Sequence, residues 1–286
     1  MSLPPLPDLL IEPTVRAALA EDLGRAGDVT AAACVPAEER LSVVFAARKA
    51  GRISGLDCAR IAMTMMDPSV RFEMVAADGD AVEAGAALAR VEGNARAVLS
   101  AERTALNLLG RLSGIATLTD AYVRAVAGTK AKIVCTRKTT PGLRALEKYA
   151  VRCGGGTNHR FGLDDAILIK DNHVVAAGGV AEALKRAKAS AGHLMKIEVE
   201  VDSLAQLDEA LPFAPDVIML DNFTLADLAE AVRRVGGRVS LEASGGVNLQ
   251  TVRAIAETGV DAISVGALTH SAPALDVGLD AISNGA

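Results

Sequence analysis

A set of cationic side chains near the middle of the sequence could bind a small molecule that carries several negative charges. The set comprises Thr136-Arg137-Lys138, His159-Arg160 and Lys170. Between Arg137 and His173 seven Lys/Arg residues stand against four acidic ones, although the whole chain has a net charge of −5. An arginine side chain binds a carboxylate or a phosphate through two parallel hydrogen bonds. Because these cations would repel one another in an empty pocket, their grouping predicts a polyanionic ligand.

Acidic side chains accompany these cations on two neighbouring predicted strands. Glu200 and Asp221 could coordinate Mg²⁺, hydrogen-bond ribose hydroxyls or balance the positive charges. Glu198 has the same strand parity as Glu200, so both side chains are expected on one face, although Glu198 could equally pair with a buried lysine. His159 could donate a hydrogen bond to an anion or shuttle a proton.

Small residues after two further predicted strands suit a phosphate group. Ser244-Gly245-Gly246 precedes a helix that is expected to begin near Asn248, and Gly266-Ala267 follows the next strand. Without bulky side chains, backbone N–H groups can approach a phosphate, and a helix N-terminus favours the anion. Phosphate sites made by the loops after the last two strands recur in α/β barrels.

The elements that position these residues change character along the chain. A helix is predicted near Leu9 to Glu21, and a long helix from Ala97 to Leu109 that ends near Gly110. Between them, short strand-like runs predict a small α+β sheet domain. The remaining chain alternates strands and helices, which predicts a parallel sheet, either open or closed into a barrel. The predicted strands are 41–47, 70–75, 87–92, 132–135, 166–169, 196–201, 216–220, 239–243 and 262–265, and the later helices are 143–153, 180–189, 204–211, 225–235 and 249–258.

The chemically capable residues recur at the carboxyl ends of these later strands. That end carries the active site both in barrels and in open α/β sheets. A strand that merely ends in a polar turn would explain one or two such positions, but not the whole set. No GxGxxG follows the first of these strands, which weakens a dinucleotide-binding interpretation.

Composition excludes several classes of protein. With 286 residues the chain can form one large domain or two smaller ones, and its net negative charge and lack of Trp argue against a nucleic-acid binder. No signal peptide and no membrane span are predicted. The four cysteines form no CxxC pair and are expected to be reduced in a cytoplasmic protein.

Longer motifs resemble the quinolinate phosphoribosyltransferase family over nearly the whole chain. The longest of them, residues 136–173, is far more specific than a short motif. The matching stretches are AERTALN (101–107), LSGIAT (112–117), TRKTTPGLRALEKYAV (136–151), GGGTNHRFGLDDAILIKDNH (154–173), EVEVDSLAQL (198–207), IMLDNF (218–223), LEASGGV (241–247) and VGALTHS (265–271). Arg111 lies directly before the stretch 112–117, and the resemblance assigns it no role.

The resemblance implies a fold class, an assembly and a reaction. An N-terminal α/β sandwich domain (residues 1–112) would be joined by a C-terminal helix (271–286), and residues 113–270 would form an incomplete α/β barrel. Two copies would form a homodimer. The family's reaction joins quinolinate to phosphoribosyl pyrophosphate with Mg²⁺ and gives nicotinate mononucleotide, pyrophosphate and CO₂ in de novo NAD synthesis.

The resemblance also implies roles for residues of this sequence. The two quinolinate carboxylates would be held by Arg137, His159, Arg160 and Lys170, and Lys138 would lie between quinolinate and pyrophosphate. Arg103 would reach into the partner's site. Glu200 and Asp221 would contact the ribose hydroxyls and the metal, so that Lys138, Glu200 and Asp221 form the catalytic set. The 5′-phosphate would be cradled by Ser244, Gly245, Gly246, Val265, Gly266 and Ala267, and Thr136 would complete the substrate-binding set.

Two other functions remain compatible with the sequence. A related phosphoribosyltransferase could use another acceptor, such as nicotinate, or could be a paralogue tied to metal transport. A non-catalytic protein could bind anions on the same scaffold. Arg137, Arg160 and Lys170 favour a dicarboxylate, and Glu200 and Asp221 argue against simple anion binding.

Overall fold

The computed structural model describes residues 3–282 of the chain. Two units are compact by themselves. One runs to Asp120 and includes Thr139–Gly155 and the chain from Thr269 onward, and the other comprises Ala121–Lys138 and Gly156–Leu268. No helix within the described range is long and apolar enough to cross a lipid bilayer.

Helices and strands follow one another along the chain as follows. The helices are α1 Asp8–Leu23, α2 Val29–Cys34, α3 Leu56–Met66, α4 Ala95–Ala125, α5 Arg144–Cys153, α6 Asp171–Ala177, α7 Val180–Ser190, α8 Leu204–Ala210, α9 Leu225–Val235, α10 Val252–Glu257 and α11 Ala267–His270. The strands are β1 Arg40–Ala47, β2 Gly51–Arg52, β3 Arg71–Met74, β4 Ala81–Val82, β5 Ala87–Asn94, β6 Lys132–Val134, β7 Ile167–Ile169, β8 Ile197–Val201, β9 Val217–Asp221, β10 Ser240–Ser244, β11 Ala262–Ser264 and β12 Val277–Ala281.

An antiparallel four-stranded sheet in the order β12-β1-β5-β3 forms the centre of the first unit. Alternate residues of β1, including the fully buried Phe45, face the core. Helices α1 and α3 pack against each other beside this sheet. This arrangement confirms the predicted α/β fold class of the N-terminal part.

The predicted C-terminal helix 271–286 is wrong over the described residues, because the chain forms strand β12 there. Residues 283–286 lie outside the described part. Strand β12 pairs antiparallel with β1, with Val43 opposite Ala281, so it completes the N-terminal sheet. A helix would leave the backbone groups at this edge of β1 unpaired. Arg48 adds a two-pronged bond to Asp280, with Nη2 2.5 Å from Oδ1, across Gly278, whose missing side chain leaves room for the guanidinium.

The sequence predicted that the long helix ends near Gly110. This prediction is wrong, because helix α4 continues to Ala125. Gly110 and Gly114 lie inside this helix, at the place where another chain segment passes close to its backbone. A Cβ atom on Gly110 would lie 2.9 Å from the Leu275 carbonyl oxygen, and one on Gly114 would collide with the Pro273 carbonyl. The Leu275 N–H donates to the Gly110 carbonyl at 2.9 Å. These glycines therefore permit a close approach of two backbones rather than marking a helix end.

Residues 139–155, which were predicted to belong to the barrel domain, group with the first unit. The fully buried carboxylate of Glu147 accounts for this grouping. Glu147 accepts hydrogen bonds from Arg111 Nη2 (2.9 Å), from Thr140 Oγ1 (2.8 Å) and from the Thr140 N–H (3.0 Å). Arg111 also donates to the carbonyls of Thr269 and Ala272. The side chain that sequence interpretation left without a role thus connects α4, α5 and the segment that leads to β12.

A six-stranded parallel sheet in the order β6-β11-β10-β9-β8-β7 forms the second unit, with helices in the connections. The six strands predicted in this region are all present, within about one residue at each end. The outer strands β6 and β7 do not pair with each other, so the barrel is incomplete, as predicted. Thr157 pairs in parallel with Val134 on the free edge of β6.

Loss of Arg111 should destabilise the protein strongly. In Arg111→Ala the buried Glu147 would lose its charged partner, and removing one member of a buried ion pair costs about 3 kcal/mol. Urea unfolding followed by far-UV circular dichroism would measure the effect. The matched control is Arg40→Ala, which breaks the exposed Arg40–Glu92 pair and should cost less than about 1 kcal/mol. Equal losses in the two variants would contradict a structural role for Arg111.

Candidate functional site

A cavity of about 410 Å³ lies at the carboxyl ends of the barrel strands. Predicted site residues supply most of its wall. Its lining comprises Thr136, Arg137, Lys138, His159, Arg160, Leu168, Lys170, Glu200, Met219, Asp221, Glu242, Ser244 and Ser264. The structure therefore brings together the predicted cations and acids of the second unit.

Strand register explains why these side chains converge. Leu168 lies opposite Glu198, Glu200 opposite Met219, and Glu242 also opposite Met219. Alternate residues of a strand point to the same face, so the residues of this parity share the barrel interior. In parallel strands the carboxyl ends meet at one edge, which is the end where the cavity opens.

Arg137 and Arg160 present buried donors that suit a bound anion. The Nε atoms of both side chains are buried, and no hydrogen-bond partner in the described structure meets either of them. Burial, together with the positive charge of Arg137, lowers the pKa of Arg160. Two neighbouring guanidinium groups with unused donors are unfavourable until an acceptor with negative charge lies between them.

Arg160 is held at its other end by the protein. Its Nη1 donates to the Ala166 carbonyl at 3.0 Å, and its backbone N–H donates to His159 Nδ1 at 2.7 Å. The guanidinium is therefore oriented before any ligand binds, which reduces the entropy cost of binding.

Lys170 and Glu200 form an ion pair across the cavity wall, with Nζ 2.5 Å from Oε2. Asp221, on the adjacent strand β9, accepts a hydrogen bond from Asn222 Nδ2 at 2.7 Å. Both carboxylates are only partly buried, so they remain accessible to ribose hydroxyls or to a hydrated cation. Mg²⁺ commonly takes one or two protein carboxylates and fills its other positions with water and phosphate oxygens, so Glu200 and Asp221 suit it.

A second layer of acidic groups lies deeper in the barrel, where His159 meets Glu198 and Glu242. His159 Nε2 is 2.9 Å from Glu198 Oε2 and 3.9 Å from Glu242 Oε1. Because Nδ1 accepts the Arg160 N–H, the proton of a neutral ring lies on Nε2 and is donated to Glu198. The three side chains are close enough to hold a metal ion, but a metal would need a bare Nε2. We therefore interpret this cluster as a hydrogen-bonded group.

Glu242 was given no role by the sequence, although it has the same parity as Ser244 on β10. The side chain is 4% exposed and lines the cavity. Burial, reinforced by the negative charge of Glu198, raises the pKa of the Glu242 carboxyl to about 7. Near neutral pH it therefore holds a proton for a large part of the time, which an exposed glutamate does not.

The loop after β10 has the backbone geometry that the glycines predicted, but not the expected helix. Gly245 and Gly246 have φ values of +95° and +60°. A Cβ atom on Gly245 would collide with the side chain of Asn222, whose own N–H donates to the Ser244 carbonyl at 2.9 Å. Helix α10 begins at Val252 rather than near Asn248, because Asn248 and Thr251 form a turn first. An N-terminal helix dipole therefore does not follow the glycines directly.

The other predicted residues lie in different surroundings. Val265 is buried, and Gly266 leads into α11, which begins at Ala267. None of these three residues lines the cavity as described. Arg103 lies on an exposed face of α4 in the first unit. Their predicted roles remain predictions.

A wider groove of about 640 Å³ lies at the amino ends of the barrel strands, but its charged groups are already engaged. Lys188 Nζ donates to the Ala214 carbonyl, Arg238 donates to carbonyls of α9, and Asp216 accepts from Lys196. The cavity at the carboxyl ends is therefore the better candidate for binding a charged ligand.

Glu242→Gln should change how stability depends on pH. The folded state keeps the Glu242 proton up to about pH 7, whereas an ordinary glutamate loses it near pH 4.5. Stability of the wild-type protein should therefore fall as pH rises through this window, and the glutamine variant should lack that part of the fall. Thermal unfolding between pH 4.5 and 8 without ligands would test this. The exposed Glu257→Gln should follow the wild type, and parallel curves for all three proteins would contradict the raised pKa.

Comparison with known proteins identifies the family to which this arrangement belongs. The family models for the N-terminal and C-terminal domains of quinolinate phosphoribosyl transferase match residues 28–113 and 115–280. The nicotinate-nucleotide pyrophosphorylase (carboxylating) of Mycobacterium leprae is 49% identical over 272 residues, covering 93% of this chain and 95% of the relative. A probable enzyme of the same name from Bacillus subtilis is 44% identical, covering 91% of this chain and 89% of the relative. The solved nicotinate-nucleotide pyrophosphorylase of Francisella tularensis superposes with a TM-score of 0.93 at 40% identity, covering 97% of this chain and 98% of that one. The chain thus belongs to the quinolinate phosphoribosyltransferase family.

Proposed function

We propose that this protein transfers the phosphoribosyl group of phosphoribosyl pyrophosphate to quinolinate, with loss of CO₂. The products are nicotinate mononucleotide, pyrophosphate and CO₂, in de novo NAD synthesis. The observation that carries this proposal is the pair of unused, buried Nε donors of Arg137 and Arg160 inside one cavity. A substrate with two adjacent carboxylates offers acceptors and charge for both.

Quinolinate occupies the cationic part of the cavity in this proposal. Arg137, Arg160 and Lys170 hold its two carboxylates, together with His159, whose ring lies in the same wall. Thr136 lies two residues after the end of β6, and its hydroxyl accepts the Lys138 N–H at 3.1 Å. This contact tightens the turn that carries Arg137 and Lys138.

Phosphoribosyl pyrophosphate occupies the part of the cavity next to quinolinate in this proposal. Glu200 and Asp221 contact the ribose hydroxyls and the metal, and the loops Ser244–Gly246 and Val265–Ala267 hold the 5′-phosphate. The positive φ values of Gly245 and Gly246 support this assignment, since such backbone forms concave anion sites. Mg²⁺, when bound, neutralises charge on the pyrophosphate that leaves.

Positioning and electrostatics account for the chemistry without a covalent intermediate on the protein. As pyrophosphate leaves past Lys138, positive charge develops on the ribose carbon, and the carboxylates of Glu200 and Asp221 stabilise it. The pyridine nitrogen then bonds to that carbon. The ring becomes cationic and can accept the electron pair of the bond to the neighbouring carboxylate, which departs as CO₂.

The working assembly in this proposal is a homodimer in which Arg103 enters the partner's site. Support comes from the exposed position of Arg103 on α4. We also propose a cytoplasmic location. The four cysteines, all within the described range, form no disulfide bonds, as expected in a reducing compartment.

Activity should require a dicarboxylate. The purified protein with Mg²⁺ and phosphoribosyl pyrophosphate should release pyrophosphate and CO₂ from quinolinate, and neither product from nicotinate. A chelator should abolish the reaction, and added Mg²⁺ should restore it. Pyrophosphate formation with nicotinate would favour the related enzyme with another acceptor, and binding of both substrates without turnover would favour a non-catalytic anion-binding protein.

Arg160→Lys should separate charge from geometry in substrate binding. Lysine keeps the positive charge but loses the two-pronged contact, so KM for quinolinate should rise about tenfold, as the loss of roughly 1.4 kcal/mol implies. Arg186→Lys is the matched control, because Arg186 lies on the surface of α7 and forms an exposed ion pair with Glu182. An unchanged KM in Arg160→Lys would contradict the assignment of Arg160 to the carboxylates.

Mixed dimers should reveal whether Arg103 acts across an interface. Arg103→Ala and Lys138→Ala should each be nearly inactive alone. After the two variants exchange subunits, each heterodimer contains one site with both native residues, so about one quarter of wild-type activity should return for dimers mixed at random. No recovery, despite heterodimer formation shown by native mass spectrometry, would mean that Arg103 serves the site of its own chain or none.

A further inference from the structure

The last step of the proposed reaction needs a proton, and this inference rests on that proposed function. When the bond between ring carbon 2 and its carboxylate breaks, CO₂ leaves and the electron pair stays on carbon 2. The nicotinate ring of the product carries hydrogen at that carbon. One proton must therefore be added in each turnover, by water or by an acidic side chain in the cavity.

Most groups of the cavity wall are poorly suited to supply that proton. Arginine does not lose its proton in proteins. A lysine ammonium is ordinarily a much weaker acid than a carboxyl group, and Lys170 is already paired with Glu200. His159 donates its Nε2 proton to Glu198 and accepts at Nδ1.

Glu242 differs from these groups in position and in contacts. Its side chain lines the cavity, two residues before Ser244 on the same face of β10, and so lies one layer deeper than the predicted phosphate loop. Its Oε1 atom is buried, and no hydrogen-bond partner for it exists among the described residues. His159 Nε2, at 3.9 Å, is too far away to donate a hydrogen bond to this oxygen, so Oε1 is not committed to a partner among the described residues.

The surroundings of Glu242 favour its protonated form. Glu198 faces it from β8 with a second carboxylate, and burial removes the water that would stabilise two negative charges. These effects exceed the opposing influence of His159, of the Ser264 hydroxyl on β11 and of Lys170 after β7, so the pKa of Glu242 rises to about 7. An acid of this strength is well matched to proton transfer near neutral pH.

We propose that Glu242 is the acid that protonates carbon 2 of the pyridinium ring as CO₂ departs. The carbon–carboxylate bond breaks and leaves its electron pair on carbon 2. The O–H bond of Glu242 then breaks, and its proton forms the new C–H bond. Glu242 becomes a carboxylate and takes up a proton from solvent through the open cavity before the next turnover.

Glu242→Gln should uncouple the two halves of the reaction. Glutamine keeps the size and burial of the side chain but has no acidic proton. In a chemically quenched single turnover with quinolinate and phosphoribosyl pyrophosphate, pyrophosphate should form within a few fold of the wild-type rate. CO₂ should be released at least tenfold more slowly, because an unprotonated carbon 2 recaptures it. A mononucleotide that still carries both carboxylates should accumulate and be detected by mass spectrometry.

Two further variants separate this role from a structural one. Glu242→Asp retains an acid and should restore part of the CO₂ release. Glu257→Gln, on the exposed surface of α10, should leave both products coupled at the wild-type rate. Circular dichroism and the thermal midpoint establish that each variant is folded, and Glu242→Asp tests the proposal even if the glutamine variant does not fold.

Each outcome supports or contradicts the role of Glu242 or the proposed function. Accumulation of the dicarboxylate mononucleotide in Glu242→Gln, with recovery in Glu242→Asp, supports the proposal. Coupled release of pyrophosphate and CO₂ at the wild-type rate in Glu242→Gln overturns the proposal. An equal loss of both products in Glu242→Gln and Glu242→Asp also overturns it when both variants are folded. Failure of the wild-type protein to form pyrophosphate from quinolinate would instead refute the proposed function.

Discussion

Repulsion between Arg137 and Arg160 is the constraint on which the candidate site depends. The barrel holds two guanidinium groups beside each other with buried, unused donors. Such an arrangement is tolerated because neighbouring carboxylates partly offset the positive charge, as Glu198 and Asp165 do beside Arg160. The buried Nε donors have no acceptor among the described residues, and a dicarboxylate would supply both acceptors and negative charge.

The acidic layer under the cavity connects binding to chemistry. Glu198 orients the His159 ring, and the ring in turn accepts the Arg160 N–H, so one buried carboxylate helps to position a substrate-binding arginine. Burial, reinforced by the negative charge of the same carboxylate, raises the pKa of its neighbour Glu242 to about 7. Placing two carboxyl groups side by side in a barrel interior is costly for stability, and such costs concentrate at functional sites.

Rigid support comes from contacts that are remote from the cavity in sequence. In the first unit, Arg111 and Glu147 hold α5 against α4, and β12 closes the edge of β1. In the second unit, the pairing of Thr157 with Val134 carries the chain along the edge of β6 immediately before His159 and Arg160. Backbone contacts of this kind place loop residues as firmly as a strand would.

The sequence by itself determined the alternation of strands and helices in the barrel, and it placed Arg137, Lys170, Glu200 and Asp221 at or near strand ends. Periodicity and polar strand ends are local signals, so one chain segment suffices to read them. Tertiary structure alone decided the rest. Gly110 resembled a helix end, but in the structure the segment Pro273–Leu275 passes close to it and to Gly114 inside one continuous helix. The last strand β12 forms because β1 offers it an open edge. Arg111 and Glu242 gained meaning only from burial and from neighbours far away in the chain, which no local pattern records.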